Sequence, residues 1–94
     1  MELQEAMTVV SVGAFVDTAG TGSVTRIDIN EGGTTILSTK ITIDATEKTS
    51  RSAAAAPVVS DTALAAGAVL TFDVDDIASG DAAKGLTVWL RVTF

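Results

Sequence analysis

Residues 24–36, Val24-Thr25-Arg26-Ile27-Asp28-Ile29-Asn30-Glu31-Gly32-Gly33-Thr34-Thr35-Ile36, carry the pattern that decides the fold. Thr25, Ile27 and Ile29 alternate with Arg26, Asp28 and Asn30. A period of two places one row on a buried face of a strand and the other on a wet or partner-facing side. Gly32-Gly33 then sets two residues tolerant of positive φ between two β-rich runs, which is a hairpin signal.

The same chemistry extends outward in both directions. Val, Ile and Thr make up 31 of the 94 residues, and β-branched side chains suit a pleated, half-buried surface better than a helix. Met7 to Val16 forms an apolar-rich run that ends in the small and polar turn 17–22. Thr34 to Ile43 is expected as one strand, with Ile41 and Ile43 opposite Thr42, followed by the polar connection 44–48. Thr49 to Ala56 is expected to be extended, because Pro57 ends any helix its four alanines begin. Val58 to Gly67 is the best short helix, capped by Ser60 or Asp61 and closed by Gly67. In Val69 to Asp75, Leu70, Phe72 and Val74 alternate with Thr71, Asp73 and Asp75. In Leu86 to Phe94, Leu86, Val88, Leu90, Val92 and Phe94 alternate with Thr87, Trp89, Arg91 and Thr93.

Six or seven short strands at regular spacing, with no long helices between them, predict an all-β fold. The expectation is a single antiparallel β-sandwich, jelly-roll-like, with at most one short helical turn. Residues 1–6 form an acidic N-terminal arm that orders on docking, and residues 7–94 form the sandwich.

A chain of 94 residues fits one domain. A fold of this size buries only about 60 to 65% of its extended-chain surface, so small domains usually add disulfides, metals or oligomerisation. With no Cys and no His, disulfides and the usual zinc sites are excluded, which leaves self-association or docking on a larger surface. Only 19% of residues are charged, and the net charge is -6. Acidity argues against nucleic acid and against an anionic membrane, both of which recruit clustered Lys and Arg. The acidic start, Met1-Glu2-Leu3-Gln4-Glu5-Ala6, is unlike a secretory signal, and the apolar run 63–70 is far shorter than the roughly 20 residues of a membrane span.

Without His, Cys or Tyr, Ser-His-Asp and Cys-His catalysis are impossible, and acid-base work falls to carboxylates or lysine. No enzymatic activity and no cofactor are expected. Asp73, Asp75 and Asp76 are the densest acidic group, and alternate oxygen ligands suit Ca²⁺ or Mg²⁺. Simple alternation, however, sets Asp76 on the face opposite Asp73 and Asp75 unless a bulge intervenes. A solvated or cation-paired strand end is the better account, and no metal is expected. Arg26, Asp28 and Asn30 read as a cross-strand ion pair or an interface hydrogen bond. Gly20-Thr21-Gly22 and Gly32-Gly33 lack the lysine and following helix of a phosphate loop and read as turns.

Trp89 lies opposite the apolar row of the last strand, two residues from Arg91, and such pairs are enriched in interface hot spots. Packing beneath a loop is the competing account of Trp89. The tail is apolar to Phe94. Trp89, Arg91, Phe94 and the arm residue Leu3 form the candidate interface set.

Residues 28–45, DINEGGTTILSTKITIDA, resemble a small β-sandwich module that recurs in virion proteins of tailed bacteriophages. Residues 59–67 leading to 70–75, and residues 85–88, resemble it too, so the likeness runs in order over about residues 9 to 92. Two departures stand out: Gly32-Gly33 replaces a common Asn-Gly, and Thr46 stands where the module usually has glycine. Such modules occur in tail fibres, head fibres and capsid-bound proteins alike. The resemblance implies a homo-oligomer, a trimer for preference, that decorates the outer surface of a head by docking on the major capsid protein. Its alternative is a fibre tip that binds host glycan, with Trp89 as stacking platform and Asp28, Asn30 and Asp73 as polar partners.

Overall fold

The computed structural model describes residues 1–94 and is an all-β, antiparallel β-sandwich. Its strands are β1 (Met7–Phe15), β2 (Thr25–Glu31), β3 (Thr34–Thr35), β4 (Leu37–Thr39), β5 (Ile41–Ile43), β6 (Val58–Val59), β7 (Ala63–Leu64), β8 (Leu70–Asp76) and β9 (Thr87–Thr93). One sheet has the order β7-β1-β9. In the other, β2 is central, with β3 and β5 along one edge and β8 along the opposite edge. A ribbon of β4 and β6 completes the fold.

Ile27 and Ile29 of β2 and Ile41 and Ile43 of β5 pack against Val9, Val12 and Ala14 of β1 in one apolar cluster. Each fully buried aliphatic side chain contributes about 1.5–3 kcal/mol relative to exposure. Buried residues nevertheless number 20 of 94, and in β8 only Leu70 is among them.

The alternation across β2 and the Gly32-Gly33 hairpin hold. Both glycines have positive φ, 57° and 87°, and the hairpin aligns Glu31 with Thr34 and Asn30 with Thr35. The run 34–43 does not form one strand. Ile36 donates its N–H to Ile29 of β2, while its carbonyl accepts from the N–H groups of Ser60 and Asp61. The chain therefore steps off β2, pairs β4 with β6, and returns as β5.

The same carbonyl explains why residues 58–67 are not helical. The amides of Ser60 and Asp61, which would begin a helix there, are held by Ile36. Val58-Val59 pairs with β4, and Ala63-Leu64 pairs with β1. The one helical turn is instead a 3-10 turn at Ser50–Ser52, within the stretch expected to be extended, where the Thr49 side chain accepts from the Arg51 amide.

The N-terminal arm is part of the sandwich, contrary to the expectation that it awaits a partner. Leu3 donates its N–H to Ala68 and accepts at its carbonyl from Gly67, and Met1 accepts from the Leu70 amide. The Met1 ammonium also donates to the Leu70 carbonyl at 2.8 Å. Leu3 thereby sits in the core at 3% exposure. The boundary at residue 6 marks no change of packing unit.

The Gly20-Thr21-Gly22 turn interlocks with the loop before β9. Thr21 exchanges backbone hydrogen bonds with Gly80 and Asp81, and a side chain at Gly22 would collide with the Gly80 amide.

Thr46 adopts φ 67°, the left-handed region, and is the only non-glycine residue to do so. A β-branched side chain is strained there, at roughly 1–2 kcal/mol. The backbone at this position thus favours glycine. Thr46→Gly should raise the unfolding free energy by about 1 kcal/mol in urea titration. A loss of stability would show that the threonine side chain makes up for its backbone.

Candidate functional site

The two long edge strands of the sandwich are open. β8 pairs only with β2 and β9 only with β1, so each has one side without a strand neighbour. Residues directly opposite in an antiparallel ladder share a face. Phe72 and Val74 lie opposite Ile29 and Ile27, and Val88, Leu90 and Val92 lie opposite Ala14, Val12 and Val9. All five therefore point to the core side of their sheets. The core does not reach over them, since Phe72 remains 40% and Val74 47% exposed, and the three β9 residues are half-buried.

Both edges border the same flank. At one end Val74, Ile77 and Leu86 share a hollow of about 300 Å³ with Val16 and Thr25. At the other end Met1, Leu3, Met7 and Phe94 line a hollow of about 330 Å³. Ile77 is 66% exposed and Phe94 84%. Along this flank the sandwich is a cleft whose apolar lining meets water.

The acidic row of β8 lies on the outer face of its sheet, and cross-strand partners already hold it. A bulge between Arg26 and Ile27 gives β8 an extra residue at Asp75 and returns Asp76 to the side of Arg26. Arg26 meets Asp76 at 3.0 Å, Lys40 meets Asp75 at 2.7 Å, and the Asn30 side-chain amide donates to Asp73 at 2.7 Å. The hydrogen bond to Asp75 holds the Lys40 ammonium pKa above the ordinary lysine value. Asp28 is buried and pairs across strands, with the neutral Thr35 of β3 and not with a cation. Its carboxylate accepts from the Thr35 hydroxyl and from the Ile29 amide. The largest hollow, about 610 Å³, is lined by Arg26, Lys40, Asp44 and Asp76, whose charged ends other than Asp44 belong to these same ion pairs. No group of three or more acidic side chains is arranged to hold a metal ion.

Trp89 is placed by glycine. It stands opposite Gly13 on the outer face of the β1–β9 sheet, and its ring occupies the space that a side chain at Gly13 would need. The Arg51 guanidinium of the 3-10 turn lies 5.7 Å from the ring centroid, a cation–π distance. Beside it, the Ser50 hydroxyl accepts from the Ala14 amide at 3.0 Å, so the 3-10 turn substitutes for a strand along the β1 edge. Trp89 thus fastens this turn to the sheet.

The four candidate interface residues are not brought together. Leu3 is interior, Trp89 is half-covered by Arg51, and Arg91 and Phe94 are exposed. The glycan set is divided as well. Asp28, Asn30 and Asp73 belong to the outer side of the β2–β8 sheet, whereas Trp89 belongs to the outer side of the other sheet. The residues that sequence reasoning missed are Phe72, Val74 and Ile77. The alternation in β8 signalled an inward face without signalling that nothing in the chain covers it.

No family model, curated protein or solved structure matches this chain.

The seat of Trp89 is directly testable, because it is the only tryptophan. Gly13→Ala should lower stability by about 1–3 kcal/mol through overpacking and shift tryptophan emission to the red as the ring moves into water. Unchanged emission and stability would mean that the ring does not rest on Gly13.

Proposed function

We propose that the protein is a non-enzymatic structural protein of a tailed-phage virion, which oligomerises and decorates the outer surface of the head by docking on the major capsid protein. The single observation that carries the self-associating part of this reading is the apolar cleft between two unpaired edge strands. Soluble monomers rarely leave such a strip uncovered, and natural β proteins usually blunt or cover long apolar edges. The phage assignment is supported by the likeness of residues 28–45, 59–67, 70–75 and 85–88 to the virion module.

The mechanism follows from multipoint binding. Each copy of a trimer makes its own contact with the shell, and effective concentration converts weak single contacts into lasting attachment. Such a clamp resists expansion of the shell by tying neighbouring capsid subunits together. The acidic surface suits this task, since it has no affinity for the packaged polyanion inside the head.

The glycan-tip reading has less support, because Trp89 and the polar trio occupy opposite faces and Asp28 and Asp73 already have partners. Attachment can be tested with heads purified from the parent phage lacking this chain. Added protein should co-sediment with them to saturation and appear by electron microscopy at threefold or quasi-threefold positions. Failure to bind heads, or a location on the tail, would overturn the reading.

A further inference from the structure

The self-association in the proposed function leaves open which surface is used, and the open flank answers that question. We propose that the cleft is closed by a second copy of the chain, with the β8 edge of one copy lying antiparallel against the β9 edge of the next. This inference rests on the self-associating part of that reading and is independent of what the assembly docks upon.

Strand direction permits the arrangement. Leu70 begins β8 at the end where Met1 and Phe94 meet, and Val74 nears the end where Leu86 precedes β9. β8 and β9 of one chain therefore run in opposite directions. A rotation about an axis parallel to the strands keeps each direction, so it carries β8 of the second copy alongside β9 of the first in antiparallel sense. Each sheet of one copy then continues into the other sheet of its neighbour, with both apolar sides facing inward. Two-fold and three-fold rings close through this same contact, including the trimer favoured above.

Side-chain chemistry selects this pairing over the alternatives. On the inner side, Phe72, Val74 and Ile77 of one copy meet Leu86, Val88, Leu90 and Val92 of the next. On the outer side, Asp73 faces the strand that carries Arg91. Arg91 has no carboxylate partner within the chain, whose two ion pairs involve Arg26 and Lys40, and Asp73 is bonded only to the neutral Asn30. Pairing β8 with β8 would instead bring Asp73 of one copy near Asp73 of the other, a destabilising like-charge contact, since Asp75 and Asp76 are already held by Lys40 and Arg26. Pairing β9 with β9 alone would leave Phe72, Val74 and Ile77 in water.

The backbone sets the limits of the ladder. The N–H and carbonyl of Leu70 point away from β2 to Met1, so by alternation those of Phe72 and Val74 point out from the same edge. The arm occupies that edge at Leu70, and the bulge at Asp75 ends regular pairing. The intermolecular ladder is therefore short and centred on Phe72 to Val74, and most of the contact is apolar packing.

Charge reversal tests the proposal, because Asp73 and Arg91 lie on opposite outer faces of one chain and influence each other only between copies. In sedimentation equilibrium the native chain should associate reversibly, and Phe72→Lys should abolish association. Arg91→Asp should weaken it about 5- to 10-fold, and Arg91→Asp combined with Asp73→Arg should restore it. Circular dichroism and Trp89 emission establish that each variant is folded, and a second inner-row variant, Val74→Lys, should reproduce the effect of Phe72→Lys. A native chain that stays monomeric at millimolar concentration overturns the inference. So does an oligomer indifferent to Phe72→Lys and Val74→Lys, or a double variant no better than Arg91→Asp alone. An oligomer that behaves as described and yet ignores capsids would sink the decoration reading and leave this one standing.

Discussion

The structure depends on one layer of aliphatic side chains held between two central strands, β1 and β2. Ile27, Ile29, Ile41 and Ile43 from one sheet and Val9, Val12 and Ala14 from the other exclude water from this layer. The remaining elements are arranged by how far they extend it. Leu3, Leu64 and Leu70 close one end, where the N-terminal arm crosses from sheet to sheet. At the other end the loops around Thr21 and Gly80 close over Val16 and Ala78. Along the flank between β8 and β9 the layer is left open, with Phe72, Val74 and Ile77 in water.

That failure links energetics to function. A chain of this size has little apolar area with which to offset its ordering entropy, and here part of that area faces water in the folded monomer. Covering it contributes about 25 cal/mol per Å² and requires no new side chains, only a neighbour. Asp73 on the outer face of β8 and the unpaired Arg91 of β9 offer opposite charges to such a neighbour. Trp89, the residue most suggestive of an interface in the sequence, is committed instead to holding the 3-10 turn against β1.

The alternating strands were legible because a period of two in β-branched residues has few other physical meanings, and β2, β8 and β9 lie within a residue or so of where the pattern puts them. The Gly32-Gly33 hairpin was legible for the same local reason. The course of residues 34–64 was not, because it is decided by the Ile36 carbonyl, a backbone group that takes partners 24 residues away. The ordering of the arm was equally non-local, since it depends on Met1 and Leu3 finding the backbone of residues 67–70. Of the candidate site, alternation identified which β8 and β9 residues face inward. Whether an inward face is covered depends on where a strand falls in its sheet, and no local pattern encodes an edge.

We infer that stability missing from the single chain is supplied by other copies closing the flank. This is tested most directly by the thermal midpoint measured as a function of protein concentration. Binding that occurs only in the folded state makes the midpoint concentration-dependent, so it should rise steadily between micromolar and millimolar chain. A midpoint that stays constant over that range, for a chain that unfolds reversibly, would contradict the account.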